Sequence, residues 1–317
     1  MNQSTCPGPG DATSRSVFHR DEREAQRRAG FDSVTGAIRS FMPEQHRDFF
    51  ALLPYLVAAT LDDAGWPIAT LLSGPPGFVH APDPATLRVD TPPQPADPAA
   101  SGVISGRDIG LLGIDFATRR RNRANGRIAS RDPSGFTVAV QQSFGNCAQY
   151  IQRRTVEVVA ASTPVDAETM SAPDLAAWRL IAAADTFFVA SRSGPQNTEA
   201  GGVDVSHRGG LPGFIHIDNA SLVIPDFRGN RFFNTLGNLM GEPRAALLFI
   251  DFATGDLLQL QGLTEIDWTD DASGHIEGAE RSWRFRPTRA WRRRGAVPLR
   301  WSFLDFAPTT RRAGTWR

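Results

Sequence analysis

Lysine is absent from this sequence of 317 residues, and all 34 residues in the lysine-plus-arginine count are arginines. Genome base composition is the simplest explanation of this absence. The absence nevertheless excludes lysine as the partner of a bound phosphate. Any phosphate that this chain holds must be bound by the planar fork of an arginine guanidinium or by backbone amides.

Cysteine and long apolar runs are also scarce. The two cysteines, Cys6 and Cys147, are too few for a disulfide framework or a four-ligand zinc site. Cys147 has no histidine near it in the sequence and is interpreted as structural. The N-terminus lacks the apolar core of a signal peptide. The longest apolar run, residues 49–61, is shorter than the roughly 20 residues needed to span a bilayer. We therefore expect a cytoplasmic protein with no membrane partner.

Several common functional signatures are missing as well. Basic and acidic residues are equal in number, 34 of each, so the net charge gives no attraction to nucleic acid. The sequence has no P-loop, no G-x-G-x-x-G and no G-x-S-x-G, which disfavours kinase, Rossmann and α/β-hydrolase functions. Its six histidines show no metal-ligand spacing. No metal site is predicted.

Short β-strands with turn signals between them dominate what is present. Residues 55–61 and 67–73 flank the turn "DDAGW", a pattern typical of a β-hairpin. Similar strands recur and predict a β-barrel or sandwich. A helix after residue 170 is predicted to have Ser171 as its N-cap, with Asp174 at the capping-box position. The predicted organisation is a disordered tail 1–16, a helical segment 17–50 broken at Pro43, and β-domains 51–160 and 171–317.

The sequence repeats itself at a constant interval. "GPPGFVH" returns as "GLPGFIH", and "IDFAT" occurs twice. Four residue pairs share the same offset of 136 positions: Gly74 and Gly210, Asp90 and Asp226, Ile114 and Ile250, and Gly126 and Gly262. A constant register over that span predicts an internal duplication. Two joined copies would form a pseudo-dimer with its site between the halves.

Polar residues gather at strand ends in the second copy. Ser206, His207 and Arg208 end one strand and precede two glycines that allow close approach of a ligand. The next candidate segment, at the start of a predicted helix, contains Arg228, Gly229, Asn230 and Arg231. Such a segment favours a phosphate cradle, and a solvated turn capped by Asn230 is the alternative.

Two further groups of residues are candidates. Gln259 and Gln261 alternate onto one strand face, where they could bond a heterocycle or simply face solvent. The first copy lacks the "RGNR" segment but has a run of arginines after its "IDFAT" strand: Arg119, Arg120, Arg121, Arg123 and Arg127. A solvated strand face is the usual role of such a charge run.

These segments together resemble the pyridoxamine 5'-phosphate oxidase-like family of FMN-binding split β-barrels. The resemblance rests on "LPYLVAATLDDAGWPIATLLSGPPGFV", on the stretch from "DVSHRGG" to "LLQLQG", and on "FGNCAQYIQRR", which is similar to tandem members. It covers most of the chain from about His19. It implies a mainly β fold with flanking helices, built as two tandem FMN-binding split barrels that form a pseudo-dimer.

The resemblance also implies cofactor-binding positions. One strand would line the flavin with Val205, Ser206, His207 and Arg208. The ribityl and phosphate positions would be Pro225, Asp226, Asn230 and Arg231, and Gln259 and Gln261 would lie near the ring. Because the first half lacks the matching phosphate segment, we expect one good flavin site or two unequal ones.

The predicted function is an FMN-dependent oxidoreductase that acts on an unidentified small molecule, with no catalytic side chain assigned. True pyridoxamine phosphate oxidase activity is not expected. The alternatives are a non-catalytic flavin- or heme-binding protein and a redox module served by a separate reductase. A deazaflavin in place of FMN, and association of the pseudo-dimer into a further homodimer, are left open.

Overall fold

The computed structural model describes residues 16–161, 166–197, 200–269 and 276–316 of the chain. Within these ranges the fold is mainly β, with seventeen strands and four α-helices. The predicted tail lies outside the described residues except for Ser16, and Cys6 lies outside them with it. The predicted fold class, a mainly β chain with flanking helices, is confirmed.

The first antiparallel sheet has seven strands. They are β1 Tyr55–Leu61, β2 Pro67–Ser73, β3 Val79–Asp83, β4 Thr86–Val89, β5 Asp108–Asp115, β6 Arg120–Asp132 and β7 Gly135–Gly145. Their order across the sheet is β2-β1-β5-β6-β7-β4-β3. The predicted β1–β2 hairpin is confirmed, and the Asp62 carboxylate accepts the turn N–H groups of Ala64 and Trp66, each at 2.9 Å.

Two short strands, β8 Arg153–Val158 and β9 Glu168–Met170, follow the first sheet. The second sheet contains β10 Thr186–Arg192, β11 Val203–Gly209, β12 His216–Asp218, β13 Ser221–Phe227, β14 Arg244–Ile250, β15 Leu257–Asp267 and β16 Ala279–Arg293. Its order is β11-β10-β14-β15-β16-β13-β12, and β9 pairs with β16. The last strand, β17 Leu299–Asp305, pairs with β8 in a separate two-stranded sheet.

The two large sheets therefore place their strands in the same order. Their hydrogen-bond registers also agree at an offset of 136, because Leu112 lies opposite Arg123 and Leu248 lies opposite Gln259. The register shifts at Gly126 in one sheet and at Gly262 in the other. A Cβ atom at Gly126 would lie 2.0 Å from a carbonyl oxygen of the neighbouring strand, and one at Gly262 would lie 2.3 Å from such an oxygen. The same bulge thus requires glycine twice.

The helices are α1 Arg20–Arg28, α2 Glu44–Ala51, α3 Leu175–Ala183 and α4 Asn234–Gly241, with 3₁₀ helices at Pro98–Gly102 and Thr310–Arg312. The predicted helical segment 17–50 is wrong between residues 29 and 43, which contain no helix. Gly30, with φ at +83°, follows the C-cap of α1, and Arg39 forms a β-bridge with Ser143. The chain then turns at Pro43, the N-cap of α2.

The predicted N-cap of α3 is also wrong. The helix begins at Leu175, and the capping residue is Asp174, whose carboxylate accepts the N–H of Ala177 at 2.8 Å. Ser171 lies three residues earlier. A carboxylate at the N-cap also interacts favourably with the helix dipole.

One hydrophobic cluster is shared by the two large sheets. It includes Val57 and Leu112 from the first sheet and Phe188, Val205 and Leu248 from the second, all buried. The backbones also approach closely, because a Cβ atom on Gly110 of β5 would lie 2.9 Å from the Cα of Asp204 on β11. Polar side chains at the edge of this interface are therefore held between two packed sheets.

No α-helix within the described residues combines the length and the apolar character needed to cross a membrane.

Candidate functional site

A cavity of about 100 Å³ lies where β6 of the first sheet meets β11, β13 and the loop that leads into α4. This volume holds several waters or one group of phosphate size, because a water needs only about 10–15 Å³ by the same measure. It is too small for a whole nucleotide. Its walls come from both halves of the chain.

Arg123 on β6 extends its guanidinium across the interface to the second half. Its Nη2 donates to Ser206 Oγ at 2.7 Å and its Nη1 donates to Asn234 Oδ1 at 3.1 Å. The same guanidinium lies 3.1 Å from the Asp204 carboxylate. Arg123 is only 4% exposed. These contacts fix its orientation before any ligand arrives.

Arg121, two residues earlier on the same strand, contacts His207. Its Nη1 lies 3.1 Å from His207 Nδ1. A guanidinium only donates hydrogen bonds, so Nδ1 must accept and the ring proton of a neutral His207 must be on Nε2. Burial, followed by repulsion from Arg121, holds the pKa of His207 well below its usual range. His207 is therefore a neutral hydrogen-bond donor at neutral pH.

Burial also affects the two arginines themselves. Burial, and next the charge of Arg123, lower the pKa of Arg121 to about 9. The pKa of Arg123 is lowered too, chiefly by burial. A guanidinium is not deprotonated in proteins, so both side chains carry their charge at neutral pH. The depression of both pKa values reflects chiefly the loss of solvation, to which the neighbouring arginine adds at Arg121.

Several buried polar atoms at the cavity have no hydrogen-bond partner. They are Nε of Arg121, Arg123 and Arg208, Nε2 of His207, Oδ1 of Asn146 and Oε1 of Gln149. Four of the six belong to cationic or donating groups. A buried donor without an acceptor costs about 1–3 kcal/mol, and these atoms belong to residues that line the cavity.

The start of α4 adds backbone donors to the same wall. Phe233, the N-cap, has φ at +58° and provides no side-chain cap. Thr235 and Leu236 in the first turn line the cavity. The first amides of a helix have no acceptor within it, and they carry the positive end of the helix dipole. This helix end is therefore open to an anion.

The charges that line the cavity do not balance. Five lining residues are arginines, namely Arg121, Arg123, Arg208, Arg231 and Arg281, and two are acids, namely Asp226 and Glu280. Asp226 is already shared, because it lies 2.6 Å from Arg281 and 3.1 Å from Arg208. The lining has three more cations than carboxylates, and Asp204, which contacts Arg123 from behind the lining, reduces this excess to two. The remaining positive charge favours a ligand with negative charge.

A second layer of polar contacts holds Asn234 in place. Its Nδ2 donates to Glu22 Oε1 at 2.5 Å, and the other Glu22 oxygen accepts the N–H of His19 at 2.9 Å. Burial raises the pKa of Glu22 to about 8. Helix α1 therefore supports the cavity wall through a carboxyl group that is mostly protonated at neutral pH.

Seven of the ten predicted site residues line this one cavity: Ser206, His207, Arg208, Pro225, Asp226, Asn230 and Arg231. Val205 lies beneath them in the shared core and is fully buried. Arg231 has φ at +65°, and its guanidinium lies 4.3 Å from the centre of the Phe31 ring. Asn230 accepts the N–H of Phe232 at 3.1 Å, the turn-capping contact that the alternative interpretation required.

Gln259 and Gln261 do not join this cavity. Both are buried, and their amides bond the first half: Gln259 donates to the Ala69 carbonyl at 2.8 Å, and Gln261 donates to the Pro67 carbonyl at 3.1 Å. Alternation placed them correctly on one strand face. That face packs against β2 instead of the cavity.

Arg121 and Arg123 are the residues whose role the sequence did not predict. Their run of arginines was interpreted as a solvated strand face, and that interpretation is wrong for Arg123. One signal was available in the sequence. The offset of 136 relates Arg123 to Gln259, and Gln259 was expected near the flavin ring, so β6 of the first half is the counterpart of the strand predicted to line the ring.

Asn146 and Gln149, from "FGNCAQYIQRR", also reach the cavity, whereas Cys147 is exposed. No group of three or more potential metal ligands occurs in the described part of the chain.

No protein-family model and no curated protein matches the chain. Solved structures show a slight likeness. The structure of HupZ from Group A Streptococcus is 12% identical, with 35% of this chain and 86% of that chain covered and a TM-score of 0.27. A FAD-binding protein from Mesorhizobium loti is 15% identical, with 40% and 97% covered and a TM-score of 0.28. The complex of MrkH from K. pneumonia with c-di-GMP is 9% identical, with 82% and 88% covered and a TM-score of 0.23.

Proposed function

We propose that the cavity binds the phosphate end of FMN and that the chain is a flavin-dependent oxidoreductase. The observation that carries the proposal is the group of arginines that lines the cavity beside an uncapped helix start. A ligand with a phosphate would accept hydrogen bonds from this wall and offset its excess of positive charge. Guanidinium groups and backbone amides are the phosphate partners that a chain without lysine can offer.

We further infer that the two halves are fused copies of one split barrel, with bounds near 51–160 and 171–317. The shared strand order and the common offset of 136 support this inference. The cavity then corresponds to a site at the interface of a pseudo-dimer. Association of two such chains into a homodimer is a separate question, which concerns the oligomeric state and not this cavity.

The residues that line the cavity fit the phosphate of FMN, and this fit concerns only the phosphate end of the ligand. Arg123 and Ser206 would hold phosphate oxygens, and the first-turn amides of α4 would bond the same group. Because Arg123 is already oriented by Asn234 and Asp204, little reorganisation accompanies binding. A bound flavin supplies a ring that accepts or releases a hydride. His207 would serve as a neutral donor at its own Nε2.

The electrons would come from a small-molecule substrate or from a separate reductase. A non-catalytic flavin-binding protein would use the same cavity. Heme binding through His207 is disfavoured, because an axial ligand needs the Nε2 lone pair and Arg121 holds the proton on that atom.

Identification of the released ligand tests the proposal. The protein is purified without added cofactor, its visible spectrum is recorded, and the material released on denaturation is identified and counted. About one FMN per chain is expected, and reduction of the flavin by a substrate or reductase would follow. Released FAD or deazaflavin would replace FMN in the proposal. A colourless protein that takes up no added flavin would refute it.

A further inference from the structure

The position related to the cavity by the offset of 136 contains a side chain of the protein itself. Asp97 corresponds to Phe233 at this offset, and the 3₁₀ helix Pro98–Gly102 corresponds to the start of α4. Each of these two residues is the N-cap of its helix. The difference is that Asp97 has a carboxylate there and Phe233 does not.

The Asp97 carboxylate is surrounded by donors. Its Oδ1 accepts from the N–H of Ala99 at 2.9 Å and from Gln259 Nε2 at 3.1 Å. Its Oδ2 accepts from Arg293 Nη1 at 2.6 Å and from the hydroxyl of Thr70. The side chain is 1% exposed. Four donors of four kinds thus converge on one buried anion.

These donors match those of the cavity by hydrogen-bond register. Thr70 on β2 and Ser206 on β11 are 136 positions apart. Their partners across the hairpin are Ala58 and Val189, so the two hydroxyls occupy matching strand positions. Gln259 and Arg123 match in the same way, opposite Leu248 and Leu112 respectively. Each position therefore combines a strand hydroxyl, a donor from the long strand of the other half, and a helix start.

We propose that Asp97 is a built-in anion that fills the second of two related anion sites, so that the chain binds one external anionic ligand and not two. In the first half the anion is a carboxylate at the helix N-cap. In the second half the matching donors Arg123 and Ser206 contact Asp204 on β11 and also line the cavity, where an external anion would bind at the open helix start. The inference concerns anion binding at both positions and holds whichever phosphate-bearing ligand the cavity takes.

Removal of this carboxylate would uncover a site for a small anion. Arg293 would be left buried at 4% side-chain exposure, with bonds to Gln94 Oε1 at 2.9 Å and to Thr70 Oγ1 at 3.4 Å but without its carboxylate. A cleft of about 310 Å³ is lined by Pro98, the residue next to Asp97. A free carboxylate of the right size should therefore replace the lost one.

Chemical rescue tests this proposal. Asp97→Ala is compared with wild type in sodium chloride and in sodium formate at equal ionic strength, with thermal unfolding as the readout. We expect the variant to lose roughly 5–15 °C of Tm in chloride and to regain at least half of the loss, saturably, in formate. Asp97→Asn is the matched control, since its amide fills the space and leaves no room for formate.

Equal responses to formate in wild type, Asp97→Ala and Asp97→Asn would overturn the proposal and leave Asp97 as a simple ion-pair partner. If Asp97→Ala does not fold in chloride, refolding yield in formate against chloride replaces the Tm. A higher refolding yield of Asp97→Ala in formate than in chloride supports the proposal. An equally low yield in both salts overturns it. Flavin content is measured on the same samples, so failure of the flavin assignment is seen independently.

Discussion

At the residue scale, the charge of the cavity depends on which arginines of β6 are buried at the interface. Arg123 and Arg127 lie on the same strand, but Arg123 is buried while the Arg127 side chain is 60% exposed beside Asp108. The sequence shows both as members of one charged run. It could not show which face of β6 turns toward the other half, because that depends on the packing of two sheets.

Arg123→Lys should weaken FMN binding by at least tenfold. Lysine retains the charge but loses the fork that bonds Ser206 and Asn234 together, and a hydrogen bond to a charged group contributes about 1.5–3 kcal/mol. A fluorescence titration with FMN measures the Kd. Arg127→Lys is the control on the same strand and should leave the Kd unchanged; a similar loss in both variants would contradict the role given to Arg123.

Glu22 predicts a dependence of stability on pH. Burial raises its folded-state pKa from 4.5 to about 8, so between these values the folded chain holds a proton that the unfolded chain releases. The contribution of Glu22 to stability is therefore present at low pH and is lost as pH rises toward 8, with a slope of at most about 1.4 kcal/mol per pH unit.

Glu22→Gln should remove this slope. The free energy of unfolding, measured in urea at several values between pH 5 and 8, is compared for variant and wild type. His19 Nε2 lies 3.6 Å from the Glu22 carboxyl, so the difference reports Glu22 together with this neighbour. Parallel curves would show that Glu22 is ionised in the folded chain.

At the element scale, strands were predicted better than helix ends. Apolar strands around a turn that contains glycine identified the β1–β2 hairpin, and the repeated glycines mark the same bulge in each sheet. The start of α3 was misplaced because Ser171 and Asp174 are both good N-caps. The choice between them is made by Arg292, which donates to Asp174 at 3.0 Å and is visible only in the folded chain.

Asp174→Ala should lower the free energy of unfolding by about 1 kcal/mol, the usual value of an N-cap. The Arg292 guanidinium, and next the Ala177 N–H, lower the pKa of Asp174 to about 2, so the carboxylate is charged across the neutral range. Ser171→Ala is the matched control and should change stability by less than about 0.5 kcal/mol. Equal losses of unfolding free energy in the two variants, measured by chemical denaturation, would contradict the assignment of Asp174 as the N-cap.

At the scale of the whole molecule, the offset of 136 indicated that a site would lie between the halves, and a cavity lined by both is found. The offset could not show that the two related N-cap positions differ, with a carboxylate at Asp97 and none at Phe233. Asp97 lies in a proline-rich segment with no chemical motif, and only the fold brings it to Thr70, Gln259 and Arg293.

The chain should tolerate a break between Ala161 and Asp166. The two fragments would share the buried cluster around Val57 and Leu248, and β8 of the first would still pair with β17 of the second. Co-expressed fragments are expected to co-purify as a one-to-one complex with the flavin content of the intact chain. Fragments that separate on size exclusion would show that the interface alone is too weak.

The β8–β17 pair also bears on what the peptide link between the halves contributes. If contacts alone keep the fragments together, the covalent connection adds little to cohesion. Its effect is then on the choice of partner. The two sheets have the same strand order, so two separate polypeptides could form like pairs as well as unlike pairs. Joining them in one chain ensures that the arginine-bearing strand of one half always meets the open helix of the other.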